Sequence, residues 1–136
     1  MTPSVLFICV KNGGKSQMAA ALARLHSRGR LEVHSAGTHP GTKLNEESRA
    51  SIEAVGASFE GEHPKPIDPE LLRRVDRAVV VGAEAELEPV EGMRGTIETW
   101  QVDEPSLRGI TGTERMELIR EDISARVQKL IAELVE

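Results

Sequence analysis

Six consecutive apolar residues stand near the start of the chain, Val5-Leu6-Phe7-Ile8-Cys9-Val10. A run this short and this rich in β-branched and aromatic side chains reads as a strand. Because it does not alternate, it has no face to offer to water. Such strands sit in the middle of parallel sheets, covered by helices on both faces. Ala78-Val79-Val80-Val81 repeats the pattern. Two more segments read as strands but carry polar residues, Leu31–Ser35 and Thr96–Val102, and so belong at sheet edges.

Helical patterns lie between and after these runs. Ser16 to Arg28 places Met18, Leu22 and Leu25 on one stripe, with Gly29 as its stop. A second helix is expected over Glu46–Val55, ending at Gly56, and a short one is opened by Asp68 with Pro69 in its first turn. The last runs from Thr113 to Leu134, with Met116, Ile119, Ile123, Val127, Leu130 and Leu134 facing inward. The order β-α-β-α-α-β-β-α predicts an α/β fold with right-handed crossovers. Two buried and two edge strands predict a four-stranded parallel sheet in the order 2-1-3-4, flanked by helices. With 136 residues, one domain over residues 1–136 is expected. A ligand then sits beyond the carboxyl end of a central strand, where Cys9 to Ser16 lies.

That stretch, Cys9-Val10-Lys11-Asn12-Gly13-Gly14-Lys15-Ser16, admits two phosphate-handling designs. A nucleotide-binding loop needs Gly-x4-Gly-Lys-[Ser/Thr]. Gly14-Lys15-Ser16 fits its end, but Cys9 occupies the place of the first glycine, and no strand ends in a magnesium-binding aspartate. The second design fits better. The residues from Val10 to Gly14 form a cradle whose N–H groups converge on one tetrahedral anion. Gly13 and Gly14 permit close approach and positive φ, and Asn12 tolerates the left-handed region. The following helix directs its positive end at the same point. Lys15 adds a charge and Ser16 a hydroxyl, which together favour the thiolate of Cys9. Cys9 is then a nucleophile beneath a bound oxyanion. Its leaving group needs a proton donor, and the loop Asp103-Glu104-Pro105 follows the fourth strand on the same side.

Composition narrows the partners. The net charge is −5 and basic residues do not cluster outside the opening stretch, which argues against nucleic acid. Four histidines without ligand spacing and a single cysteine argue against a metal. The lone cysteine cannot form an internal disulfide. Met1-Thr2-Pro3-Ser4 lacks the basic region of a signal peptide, and no apolar stretch reaches the ~20 residues of a membrane span. A cytoplasmic protein without a membrane partner is expected.

The chain resembles the low-molecular-weight protein tyrosine phosphatase superfamily, in particular its arsenate reductase branch. The matching residues are Cys9-x5-Lys15-Ser16-Gln17-Met18-Ala19, Ser35-Ala36-Gly37-Thr38, Pro64-Lys65-Pro66 and Asp103-Glu104-Pro105. Asn12-Gly13-Gly14-Lys15-Ser16 is most similar to the actinobacterial mycothiol-dependent reductases, the arsenate–mycothiol transferases. Phosphatases and thioredoxin-coupled reductases carry arginine at the position of Lys15. Glycine is usual at the position of Lys11. The family's acid is usually an aspartate directly before proline; Glu104 holds that place, with Asp103 one residue earlier, so Glu104 is the first candidate and Asp103 stays open. Thioredoxin-coupled members use two further cysteines after the third strand, whereas Gly82–Pro89 here has none. The resemblance therefore implies arsenate as substrate, no bound cofactor, mycothiol as co-substrate and a mycoredoxin-type glutaredoxin as partner. The runner-up is a phosphatase acting on phosphotyrosine or a small phosphoester; against it, the chain has no tyrosine and Pro105 is followed by Ser106-Leu107-Arg108. A non-catalytic oxyanion-binding module is the third reading.

Overall fold

The computed structural model describes residues 2–135. Strands β1 (Ser4–Cys9), β2 (Glu32–Gly37), β3 (Arg77–Val81) and β4 (Thr96–Trp100) form one sheet ordered β2-β1-β3-β4, and every neighbouring pair is parallel. Helices α1 (Lys15–Ser27), α2 (Glu46–Glu53), α3 (Pro69–Arg74) and α4 (Gly112–Leu134) complete the fold, with a 3-10 turn at Pro105–Arg108. Among the described residues no helix is long and apolar enough to cross a membrane.

The unbroken apolarity of β1 has the expected cause. Alternate side chains enter two separate cores. Val5 and Phe7 join α1 and α4 residues, including Leu22, Ile123 and Val127. Leu6 and Ile8 point the other way, against Leu72 and Val75 at α3. Val79 and Val81 of β3 share the first core and Ala78 the second. Trp100 packs beside Phe7, ring centroids 5.7 Å apart, and closes the first core at the β4 edge.

Several boundaries differ from expectation. Helix α1 is buried all round from Ser16 to Ala23, because it lies between the sheet, α2 and α4. Its last turn emerges from that packing, so Leu25 is exposed rather than part of a buried stripe. Arg28 enters the left-handed region at φ 52° ahead of Gly29 at 81°, so two residues share the stop. Strand β2 reaches Gly37, pairing with β1 as far as Cys9; that extension depends on a partner strand and not on local pattern. Strand β4 ends at Trp100, where the Val102 N–H turns back to the Trp100 carbonyl. In α4, Ile131 takes the buried place expected of Leu134, which is half-buried. The 3-10 turn was not expected at all; it is opened by Glu104, whose side chain accepts from the Ser106 N–H.

Candidate active site

Strand β1 delivers Cys9 to the carboxyl edge of the sheet, and α1 begins six residues later. The loop between them faces its carbonyls outward. Those of Cys9, Val10, Lys11 and Gly13 accept from the N–H groups of Thr38, His39, Gly41 and Asn45 at 2.7–3.0 Å. The Gly14 carbonyl begins the helix, accepting from Met18 at 2.8 Å. The N–H groups of Lys11, Asn12, Gly13 and Gly14 have no backbone acceptor among the described residues. A set of backbone donors left without backbone acceptors at a helix N-terminus is suited to an anion.

The residue in the left-handed region is Asn12, at φ 55°. Neither Gly13 nor Gly14 has positive φ, and Gly14 sits at −132°. Lys11 likewise keeps negative φ, so the loop tolerates a side chain where glycine is usual. What Gly13 provides is room, since a Cβ there would stand 3.0 Å from the Lys43 carbonyl. Gly37 is more constrained. A Cβ on it would meet the Val10 carbonyl at 2.6 Å and Asn12 Cβ at 3.0 Å, so β2 touches the loop backbone directly.

A buried chain of hydrogen bonds reaches the sulfur. Lys65 N–H donates to Asn12 Oδ1 at 3.1 Å, which fixes the amide orientation and turns Asn12 Nδ2 to Ser16 Oγ at 2.7 Å. Ser16 Oγ lies 2.9 Å from Cys9 Sγ. When Cys9 is a thiolate, only the hydroxyl has a hydrogen to give, so Ser16 accepts from Asn12 and donates to sulfur. Gln17 anchors the other side of Asn12, donating from Nε2 to Asn12 Oδ1, the Asn12 carbonyl and the His63 carbonyl. Sequence reasoning assigned Asn12 only a backbone role and Gln17 none. Their mutual contacts are local, but the groups that orient them, the Lys65 N–H and the His63 carbonyl, come from a distant segment.

Lys15 makes no hydrogen bond or ion pair among the described residues. Its Nζ lies beside Gly82, 3.6 Å from where a Cβ would be, and Glu84 Oε2 approaches the same point to 3.0 Å. Gly82, at φ 102°, has no side chain, and an ammonium and a carboxylate approach the space a Cβ would fill.

The two acid candidates are both held by arginine. Glu104 receives Arg115 Nε at 2.9 Å and Nη2 at 2.7 Å. This fork lowers its carboxyl to about 2. Asp103 receives both Nη atoms of Arg108, at 2.7 and 3.1 Å, and is likewise held below the usual range. In this arrangement both are ionised at neutral pH and have no proton to give. Acting as the acid would require either to leave its arginine.

A cleft of about 520 Å³ runs from the outer flank of the loop, at Lys11, Gly13 and Gly14, to Arg115 on α4. Cys9, Glu104 and Asp103 are not on its wall.

Residues 4–136 match the family described as Low molecular weight phosphotyrosine protein phosphatase. A curated relative, the glutaredoxin arsenate reductase of Synechocystis sp., is 29% identical over 133 residues, covering 96% of this chain and 97% of its own. A solved structure described as an arsenate reductase in the phosphate binding state superposes with a TM-score of 0.80 at 26% identity, over 97% of this chain and 98% of that one. A thioredoxin-dependent arsenate reductase of Corynebacterium glutamicum gives 0.79 at 26% identity; it covers 97% of this chain, which spans 61% of it. With the 2-1-3-4 parallel sheet and the cysteine loop at its carboxyl edge, these matches establish that the chain belongs to the low molecular weight phosphotyrosine protein phosphatase family.

Proposed function

We propose that the protein is an arsenate reductase in which Cys9 attacks arsenate and passes it to a small thiol, mycothiol. The observation that carries this reading is Cys9 itself. It is the only cysteine in the chain, set against the Ser16 hydroxyl at the start of a loop whose amides at residues 11–14 have no backbone acceptor among the described residues. The relatives described as arsenate reductases support the substrate. They divide over the reductant, one being named for glutaredoxin and another for thioredoxin.

The amides of residues 11–14, with Lys15, bind and orient the oxyanion. The Cys9 thiolate forms a sulfur–arsenic bond while an arsenic–oxygen bond breaks and that oxygen leaves as water. Arsenate retains protons of its own at neutral pH, so the water need not await a carboxylic acid on the clamped 103–104 loop. The outside thiol, losing its proton, then attacks arsenic. The sulfur–arsenic bond to Cys9 breaks, and Ser16 receives the returning thiolate. Arsenic is still pentavalent in the thiol–arsenate conjugate. Reduction follows when a mycoredoxin thiolate attacks the sulfur of the conjugate. A disulfide forms, and the electron pair of the sulfur–arsenic bond stays on arsenic as arsenite. One cysteine suffices for such a transferase, and mycothiol is the donor that the Asn12–Ser16 resemblance implies.

The family description favours a second reading, a phosphatase. Lysine at position 15 offers a point charge in place of a bidentate fork, and no tyrosine is available to hold an aryl group. The decisive assay is multiple turnover of arsenate with mycothiol plus mycoredoxin, beside glutathione plus glutaredoxin and thioredoxin plus its reductase, with mass spectrometry of the product. Arsenite formed with thioredoxin alone, without any small thiol, would overturn the transfer mechanism. Efficient hydrolysis of p-nitrophenyl phosphate without arsenate turnover would favour the phosphatase.

A further inference from the structure

The chain carries five lysines and a net charge of −5, yet three of those lysines, Lys11, Lys15 and Lys43, line the cleft beside the oxyanion loop. Lys11 and Lys43 have no ion pair or hydrogen bond among the described residues, whereas the Lys15 ammonium is turned toward Gly82 and Glu84, which are not on this wall. No aspartate or glutamate lies on the cleft wall. Arg115 closes the far end, already engaged by Glu104. Asn45 and Ser48 add amide and hydroxyl groups. The floor is apolar, made by Met18, Leu44, Met116 and Ile119, all buried.

One tetrahedral anion is held by the cradle and does not need this space. A volume of 520 Å³ falls within the roughly 300–1,000 Å³ of sites for organic molecules. Ammonium groups donate hydrogen bonds and accept none. The wall therefore suits a ligand rich in oxygen acceptors, with a methyl or methylene portion against the floor. Gly13, Gly14 and Lys15 belong both to this wall and to the anion loop, so a ligand seated here can bring one end over the rim to the bound oxyanion.

We propose that this cleft holds the organic body of the thiol co-substrate, an acceptor-rich small thiol, while the thiol group itself reaches arsenic over the Gly13–Lys15 rim. The assignment rests on the transferase reading above. The acceptors can be carboxylates, as in glutathione, or sugar hydroxyl and amide oxygens, as in mycothiol, and the experiment separates the two.

The test is equilibrium binding of S-methyl glutathione and S-methyl mycothiol, by titration calorimetry, to phosphate-saturated protein. Wild type is compared with Lys43→Glu and with Thr42→Trp, both exposed wall residues. At least one S-methyl thiol should bind wild type, and both substitutions should weaken it tenfold or more. Whichever compound binds identifies the acceptor chemistry. In turnover, the KM for the matching thiol should rise at least tenfold more than the KM for 2-mercaptoethanol, which has almost no body to seat. No binding of either compound, or binding that neither substitution weakens, overturns the assignment. Binding that follows the prediction in a protein that never turns over arsenate would instead leave the cleft occupied as proposed and remove the arsenate reading.

Discussion

Arg115 and Glu104 meet through two parallel N–H···O bonds of 2.9 and 2.7 Å, so the carboxylate that precedes Pro105 is bound to the helix that closes the cleft. The pair is under a third exposed on each side, which limits its contribution to about 1 kcal/mol. The Glu104 carboxyl is lowered to about 2 from an ordinary value near 4.5. A lowered carboxyl stabilises the fold above its unfolded value and loses that contribution as pH falls through the folded one. Unfolding free energy should therefore drop between about pH 4.5 and pH 2, and Glu104→Gln should flatten that part of the profile. Denaturant titrations of both proteins across pH 2–6 check this; parallel profiles would show that the fork contributes nothing.

Cys9→Ser should abolish arsenate turnover and leave the fold intact, because a serine hydroxyl in the same cradle is a far weaker nucleophile than a thiolate. Circular dichroism and multiple-turnover assays separate the two effects. Wild-type-like turnover by the folded variant would remove Cys9 from the chemistry.

Ser16→Ala removes the hydrogen bond at 2.9 Å from the Cys9 sulfur. A hydrogen bond to a charged group contributes about 1.5–3 kcal/mol, equivalent to roughly tenfold to hundredfold in rate. The expected losses appear in kcat and in alkylation of Cys9 by iodoacetamide at neutral pH. Asn12→Ala should follow more weakly, since it acts through Ser16.

Lys15→Ala should weaken competitive inhibition by phosphate, and Glu84→Gln should strengthen it about threefold. The second effect follows from removing one negative charge near the lysine, a Coulomb contribution of about 0.5–1 kcal/mol at several ångströms in a water-like dielectric. Inhibition constants at low and high salt measure it, with the difference shrinking as salt rises. An inhibition constant in Glu84→Gln equal to wild type would mean that Glu84 does not face the anion.

Gly37→Ala places a methyl 2.6 Å from the Val10 carbonyl. That neighbour is backbone and cannot swing aside, so overpacking of about 1–3 kcal/mol is expected, together with reduced phosphate binding as the loop shifts. Thermal unfolding and phosphate inhibition of the same variant test both parts.

The apolar run of β1 was enough, read alone, to demand helices on both sides of the sheet, since consecutive apolar residues on a pleated strand must face two cores. The spacing of Cys9, Lys15 and Ser16 likewise marked a tight loop between a strand and a helix, because the sequence interval itself sets the size of the turn. These features depend on neighbours along the chain. Others depend on residues distant in sequence, and only the tertiary structure decided them. Asn12 holds Ser16 because Lys65 arrives to orient its amide. Gly37 must lack a side chain because β2 meets the Val10 carbonyl. Glu104 is held by a guanidinium because Arg115, one helix further on, closes on it. Lys43 shares a cleft with Lys11 and Lys15 only because the 41–45 segment hydrogen-bonds to the outside of the loop. Periodicity determines which way a residue faces; packing over long sequence separations determines what it meets there.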